Sequence, residues 1–216
     1  MERYPFRGAL RALCLSTFPL ILPSTADAVV ISEVLYDAAG TDAGNVFVEL
    51  YGAPGTDLGG WSLRGVNGAD GNIYRTVALS GIIPADGVFV VADVLTGGVT
   101  NVADADLLAG VDFQNGPDSV ELFDGSAVVD ALGYGDFTGL FFAGEGSPAP
   151  AVSAGSSLAR ANPLLDTDDN LADFIVLGTP TPGTVPVSAV PLPASLYLLG
   201  SGLALLSTRR LRRSVN

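Results

Sequence analysis

Seven short apolar runs, each bounded by glycine, aspartate, asparagine or proline, constrain this chain more than any other feature. They are VVISEVLYD (29–37), VFVELYG (46–52), WSLRGV (61–66), IYRTVAL (73–79), GVFVVAD (87–93), DSVELFD (118–124) and AVVDALGYG (127–135). Runs of six to nine residues rich in Val, Leu, Phe and Tyr are too short for core helices and read as strands. In DSVELFD, Val120 and Leu122 alternate with Glu121, the pattern of a half-buried strand. Asp124-Gly125 between two runs signals a hairpin. No long stretch of helical periodicity interrupts the series before the C-terminal end. Seven or more strands in the roughly 155 residues from 29 to 183 predict one all-β sandwich domain. Trp61, Phe47, Leu50 and Phe89 are the expected bulky core residues. GEGSPAPAVSAGSS (144–157) reads as a small-residue loop. TPTPGTVPVS (179–188) reads as a semi-extended connection, with the domain boundary at Gly183 and a linker over 184–189.

The two ends have a different composition. Arg3, Arg7 and Arg11 precede an apolar segment, 12–22, and Ala26-Asp27-Ala28 places small residues where signal peptidase reads them. Residues 1–28 therefore read as a secretory signal peptide, cleaved after Ala28. Cys14 lies inside it, so the mature chain is expected to contain no cysteine and to hold together by packing alone. At the other end, residues 194–208 are apolar apart from serines, a glycine pair and Tyr197. Counted from Ala189, the run reaches the short end of the roughly 17–25 residues a membrane-spanning helix needs. Arg209, Arg210, Arg212 and Arg213 follow and predict a cytoplasmic end, with everything before the helix outside the inner membrane.

Just before that run stands Val190-Pro191-Leu192-Pro193-Ala194, whose prolines hold the backbone extended. Motif, apolar helix and arginine cluster in this order resemble the PEP-CTERM class of bacterial sorting signals, in its VPLPA-CTERM variant. The resemblance covers residues 190–213. It implies a Gram-negative host, processing by an exosortase-type membrane enzyme, and release or anchoring at the cell surface. A second resemblance spans the body from Val29 to Gly183. ISEVLYDAAGTDAGNVFVELYG, DLGGWSLRG and SLARANPLLDTDDNLADFIVLGTPTPG are similar to a bacterial lamin-tail domain, with Trp61 after Leu58-Gly59-Gly60 and the closing Pro180-Thr181-Pro182-Gly183 as signatures. Val46 and Gly52 depart from the pattern, where an acidic residue and Asn are common. This resemblance implies an immunoglobulin-like sandwich.

Composition excludes several chemistries. Residues 29–189 contain no His, Cys or Lys, so a Ser-His-Asp triad, a Cys-His pair, a lysine Schiff base and a His- or Cys-built zinc site are all excluded. The same segment has 21 Asp or Glu against Arg64, Arg75 and Arg160, a net charge of −18. That charge repels nucleic acid, and three arginines are too few for a phosphate-binding face. Paired carboxylates leave glycoside hydrolysis as an alternative. DTDDN sets Asp166, Asp168 and Asn170 at alternating positions with Asp169 and Asp173 nearby, oxygen ligands of the kind calcium takes. It is not an EF-hand, because Leu171 and Leu177 stand where that loop needs Gly and Glu. A turn stabilised by aspartate side chains is the competing reading.

The expectation is therefore an all-β, immunoglobulin-like sandwich of lamin-tail type, followed by one C-terminal transmembrane helix. Its expected role is that of a non-enzymatic surface or matrix protein that binds protein or polysaccharide. Its partners are the Sec machinery, signal peptidase, an exosortase and the inner membrane. No catalytic residue or cofactor is expected beyond a calcium ion at Asp166, Asp168 and Asn170, and the alternative is a secreted carboxylate hydrolase.

Overall fold

A computed structural model describes residues 28–185. The signal segment before Ala28, Cys14, the Val190–Ala194 motif, the apolar tail and its four arginines lie outside the described residues. Among the described residues no helix is long and apolar enough to cross a membrane.

The body is an all-β sandwich of two sheets. In chain order the strands are β1 (Val30–Leu35), β2 (Phe47–Tyr51), β3 (Ser62–Asn67), β4 (Ile73–Ala78), β5 (Val88–Ala92), β6 (Leu107–Leu108), β7 (Asp118–Phe123), β8 (Val128–Tyr134), β9 (Ser157–Arg160) and β10 (Phe174–Leu177). A single helical turn, α1 (Asn170–Asp173), precedes β10. One sheet has the order β10-β9-β1-β2-β5-β6 and the other β4-β3-β7-β8. Every pairing is antiparallel except β5 with β6. The seven expected runs coincide with β1–β5, β7 and β8, and Asp124-Gly125 lies in the β7–β8 connection as expected.

Side chains alternate across each strand, and that alternation builds two apolar layers. Between the sheets lie Ile31, Val34, Val48, Leu50, Phe89 and Val91 from one side, and Leu63, Val77, Val120, Leu122 and Leu132 from the other. Tyr36 stacks on Tyr134 at 4.1 Å within this core. The larger sheet is also covered on its far face, where Leu35, Phe47, Val88 and Val90 pack with Val46, Val102 and Val185. Leu50 and Phe89 occupy the main core as expected. Phe47 is buried in the outer layer, and Trp61 is only half-buried at the core margin. Burial on both faces explains why β1, β2 and β5 read as nearly continuous apolar runs.

Two acidic residues break those runs, Glu33 in β1 and Glu49 in β2. Both are buried, and they are direct cross-strand neighbours. A bulge between Ile31 and Glu33 brings them into register and lets Ser32 donate its hydroxyl to Glu49 Oε1 at 2.7 Å.

Candidate functional site

The acidic DTDDN stretch folds around one buried cation. Arg160 ends β9, and its side chain is fully buried. All three guanidinium nitrogens are engaged. Nε donates to the carbonyl of Ile31 at 3.2 Å, and Nη1 donates to Asp166 Oδ1 at 3.1 Å and Asp173 Oδ2 at 2.9 Å. Nη2 donates to both oxygens of Asp130, at 2.9 and 3.1 Å. The Ile31 N–H also donates to Asp130. Asp130 belongs to β8 in the smaller sheet and Ile31 to β1 in the larger one, so this network ties the two sheets together. The guanidinium lies over the Phe174 ring, 4.8 Å from its centroid. Burial alone would lower the proton affinity of Arg160, but the charges of Asp130, Asp166 and Asp173 overcome it and raise it. For Asp173, burial pulls the carboxyl upward. The N–H and hydroxyl of Thr167 and the guanidinium outweigh that pull and lower it.

Glu145 stands beside this network without a bond to it. Its Oε2 is buried and has no hydrogen-bond partner. Burial first, then the negative charges of Asp130 and Asp166, push its carboxyl up to about 8. Carboxylate oxygens of Asp130, Glu145 and Asp166 all lie within 4.8 Å of one another.

The calcium trio expected from sequence does not come together as a set. Asp166 joins Arg160. Asp168 takes a left-handed backbone, φ 53°, in the turn and gives its N–H to Asp166 at 3.2 Å. Asn170 is buried, and its Oδ1 accepts the N–H groups of Gly133 at 2.8 Å and Glu145 at 3.0 Å. Its Nδ2 donates to the Ala131 carbonyl at 2.8 Å, so the amide covers the free edge of β8. Asp169 caps α1, accepting from Leu171 N at 3.1 Å. The carboxylates thus converge on a guanidinium, and Asn170 serves the backbone.

A second carboxylate cluster holds the end of the domain. Glu33 Oε1 accepts from the Thr181 N–H at 3.0 Å and from the Ser157 hydroxyl, and Oε2 accepts from the Thr181 hydroxyl at 2.7 Å. Glu49 Oε2 accepts from the Gly183 N–H at 2.8 Å. Burial, with a smaller contribution from the charge of Glu33, pushes Glu49 up to about 7. The segment read as semi-extended is bonded to the sheet at Thr181 and Gly183. Beside it, Asp86, Asp104 and Asp106 line an open groove of about 520 Å³.

Fold and sites together define an acidic all-β sandwich, without cysteine among the described residues, in which buried Arg160 ties the two sheets and buried Glu33 and Glu49 hold the closing segment. No family model matches the chain, and no curated protein or solved structure matches it.

Sequence reasoning missed Arg160, Asp130 and Glu145 as one cluster and Glu33 with Glu49 as another. A signal existed in each case. Arg160 is one of only three basic residues in the body, and each glutamate is a lone charge within an apolar run.

Proposed function

We propose that the chain is an exported, non-enzymatic surface or matrix protein, a lamin-tail-type immunoglobulin-like sandwich carrying a sorting tail. The signal segment directs export through the Sec machinery and signal peptidase. The apolar run holds the precursor in the inner membrane, and an exosortase-type enzyme processes it at Val190–Ala194. The mature domain then acts at the surface of a Gram-negative cell, with an extracellular protein or polysaccharide as its ligand. The observation that supports this reading is the fixed end of the domain. Thr181 and Gly183 are bonded to buried glutamates, and Val185 packs on the sheet, so the motif begins five residues after a firmly held chain.

One observation favours the alternative, a carboxylate hydrolase: Glu145, pushed up to about 8, lies near Asp166, the pairing of a proton donor with a base. Against it, Asp166 is already paired with Arg160. Turnover of an extracellular polysaccharide that disappears in Glu145→Gln would establish the hydrolase.

Fractionation and blotting in the host test the main reading. Pro191→Ala with Pro193→Ala leaves insertion intact, and a full-length precursor accumulates in the inner membrane. Replacing Arg209, Arg210, Arg212 and Arg213 with Ser weakens retention and releases unprocessed protein to the periplasm. A proline variant that reaches the surface at normal size and level refutes sorting.

A further inference from the structure

Glu33 and Glu49 face each other on adjacent strands, both buried, and both accept hydrogen bonds from one short segment, Thr181 to Gly183. We propose that residues 180–185 form a pH-gated strap, which lies on the outer face of the larger sheet while the pair carries a single negative charge and loosens when both glutamates are ionised.

The geometry makes the second charge costly. Glu33 has three donors on it: the Thr181 N–H, the Thr181 hydroxyl and the Ser157 hydroxyl. Glu49 has two, from Ser32 and Gly183, which favour its ionised form but are outweighed by burial and the charge of Glu33. No cation among the described residues answers a second charge. Across from Glu49, β5 presents Val90. From β9 comes Ser157. The strap itself offers Thr181, Gly183 and Thr184, none of them charged. The loop before β6 sets Asp104 against Gly183 and bonds Asp106 to the Val90 N–H at 2.8 Å, so it adds acids only. Arg160 points to the opposite face of the sheet, and Arg64 and Arg75 belong to the other sheet. Like charges directly opposite on neighbouring strands are destabilising. An ionised, buried carboxylate gains by letting water in, and lifting the strap that covers the pair does so.

The direction follows from linkage. Glu49 has an ordinary value of 4.5, and in the closed form burial pushes it up to about 7. The closed form therefore binds a proton that the open form releases. Strap closure is therefore favoured at acid pH and is lost as the pH rises through about 7. Opening also frees the five residues from 181 to 185, adding about 17 Å of chain ahead of Val190. That consequence for processing rests on the sorting reading, whereas the gate itself does not.

The test is hydrogen exchange by mass spectrometry on the full chain in detergent, from pH 5 to pH 8, with rates corrected for the intrinsic pH dependence of exchange. A peptide containing Thr181, Gly183 and Thr184 is compared with one covering β5. The expected result is a loss of protection on the order of tenfold in the strap peptide, none in β5, and no pH-dependent loss in Glu49→Gln, which stays neutral and keeps its acceptor. Three outcomes overturn the proposal: strap protection flat with pH, an equal fall in Glu49→Gln, or a parallel fall in β5. The Pro191 and Pro193 variants leave this readout unchanged, so failure of sorting and failure of the gate are separable.

Discussion

Arg160 is the residue on which both sheets converge. A buried ion pair gives little net stability against an apolar replacement of both partners, yet removing one partner leaves the other charged and unpaired. Arg160→Met strips Asp130 and Asp173 of their cation at buried positions, so a loss of about 3–5 kcal/mol is expected, read as a lower urea midpoint. Arg64 is the internal control. It stacks over Phe123 at 3.4 Å on a partly exposed face, and Arg64→Met should cost about 1 kcal/mol or less. Equal losses in the two variants would show that the five-bond network contributes nothing special. Glu145 gives a second residue-scale expectation. Its carboxyl is pushed from an ordinary 4.5 to about 8, so the folded chain holds a proton that the unfolded chain releases. Its contribution is complete below about pH 4.5 and disappears as the pH rises through about 8. Glu145→Gln should flatten the fall of the urea midpoint over that window, and an unchanged slope would rule the assignment out.

At the scale of elements, strand formation was legible where a run is apolar and bounded by turn residues. Seven strands meet that condition. Two of the other three do not. β9 is SLAR, four residues of which two are polar, and it is a strand because Glu33 and Arg160 find buried partners there. β6 is two residues long and exists through parallel pairing to β5. β10, FIVL, is apolar enough, but it follows directly on an acidic stretch that reads as a turn. Asn170 illustrates why the site was harder to read than the fold. Its residue type suits a calcium loop and a β-edge equally, and only the approach of β8 decides between them. Asn170→Ala should leave the N–H groups of Gly133 and Glu145 and the Ala131 carbonyl without their partners. With about 1–3 kcal/mol for each buried group left unpaired, a loss of several kcal/mol is expected. The uncovered β8 edge should also promote association, visible as higher-order species in size-exclusion chromatography. A monomeric variant of unchanged melting temperature would mean that water replaces the amide without cost.

For the whole molecule, charge and core oppose each other. Residues 29–189 carry 21 acids and three arginines, and Arg160 spends its charge inside. The surface therefore repels itself with almost no compensation, and the domain has no cysteine to cross-link it. Such self-repulsion weakens the compact state and is relieved by screening. Raising NaCl from 10 to 150 mM shortens the screening length from about 30 Å to about 8 Å. The melting temperature should rise over that range. Calcium separates screening from binding. Asp166 of the DTDDN turn is already paired with Arg160, together with Asp130 and Asp173, and the Asn170 oxygen accepts two backbone N–H groups. Calcium chloride and NaCl at equal ionic strength should therefore raise the melting temperature equally. A larger rise with calcium, lost in Asp166→Asn, would show that the ion competes with Arg160 for the cluster, because ligand bound only by the folded form adds stability in proportion to its affinity. Arg160→Met provides the complementary measurement. With the internal cation removed, Asp130, Glu145 and Asp166 are left as three converging oxygen donors, and calcium should then restore part of the lost stability where NaCl does not.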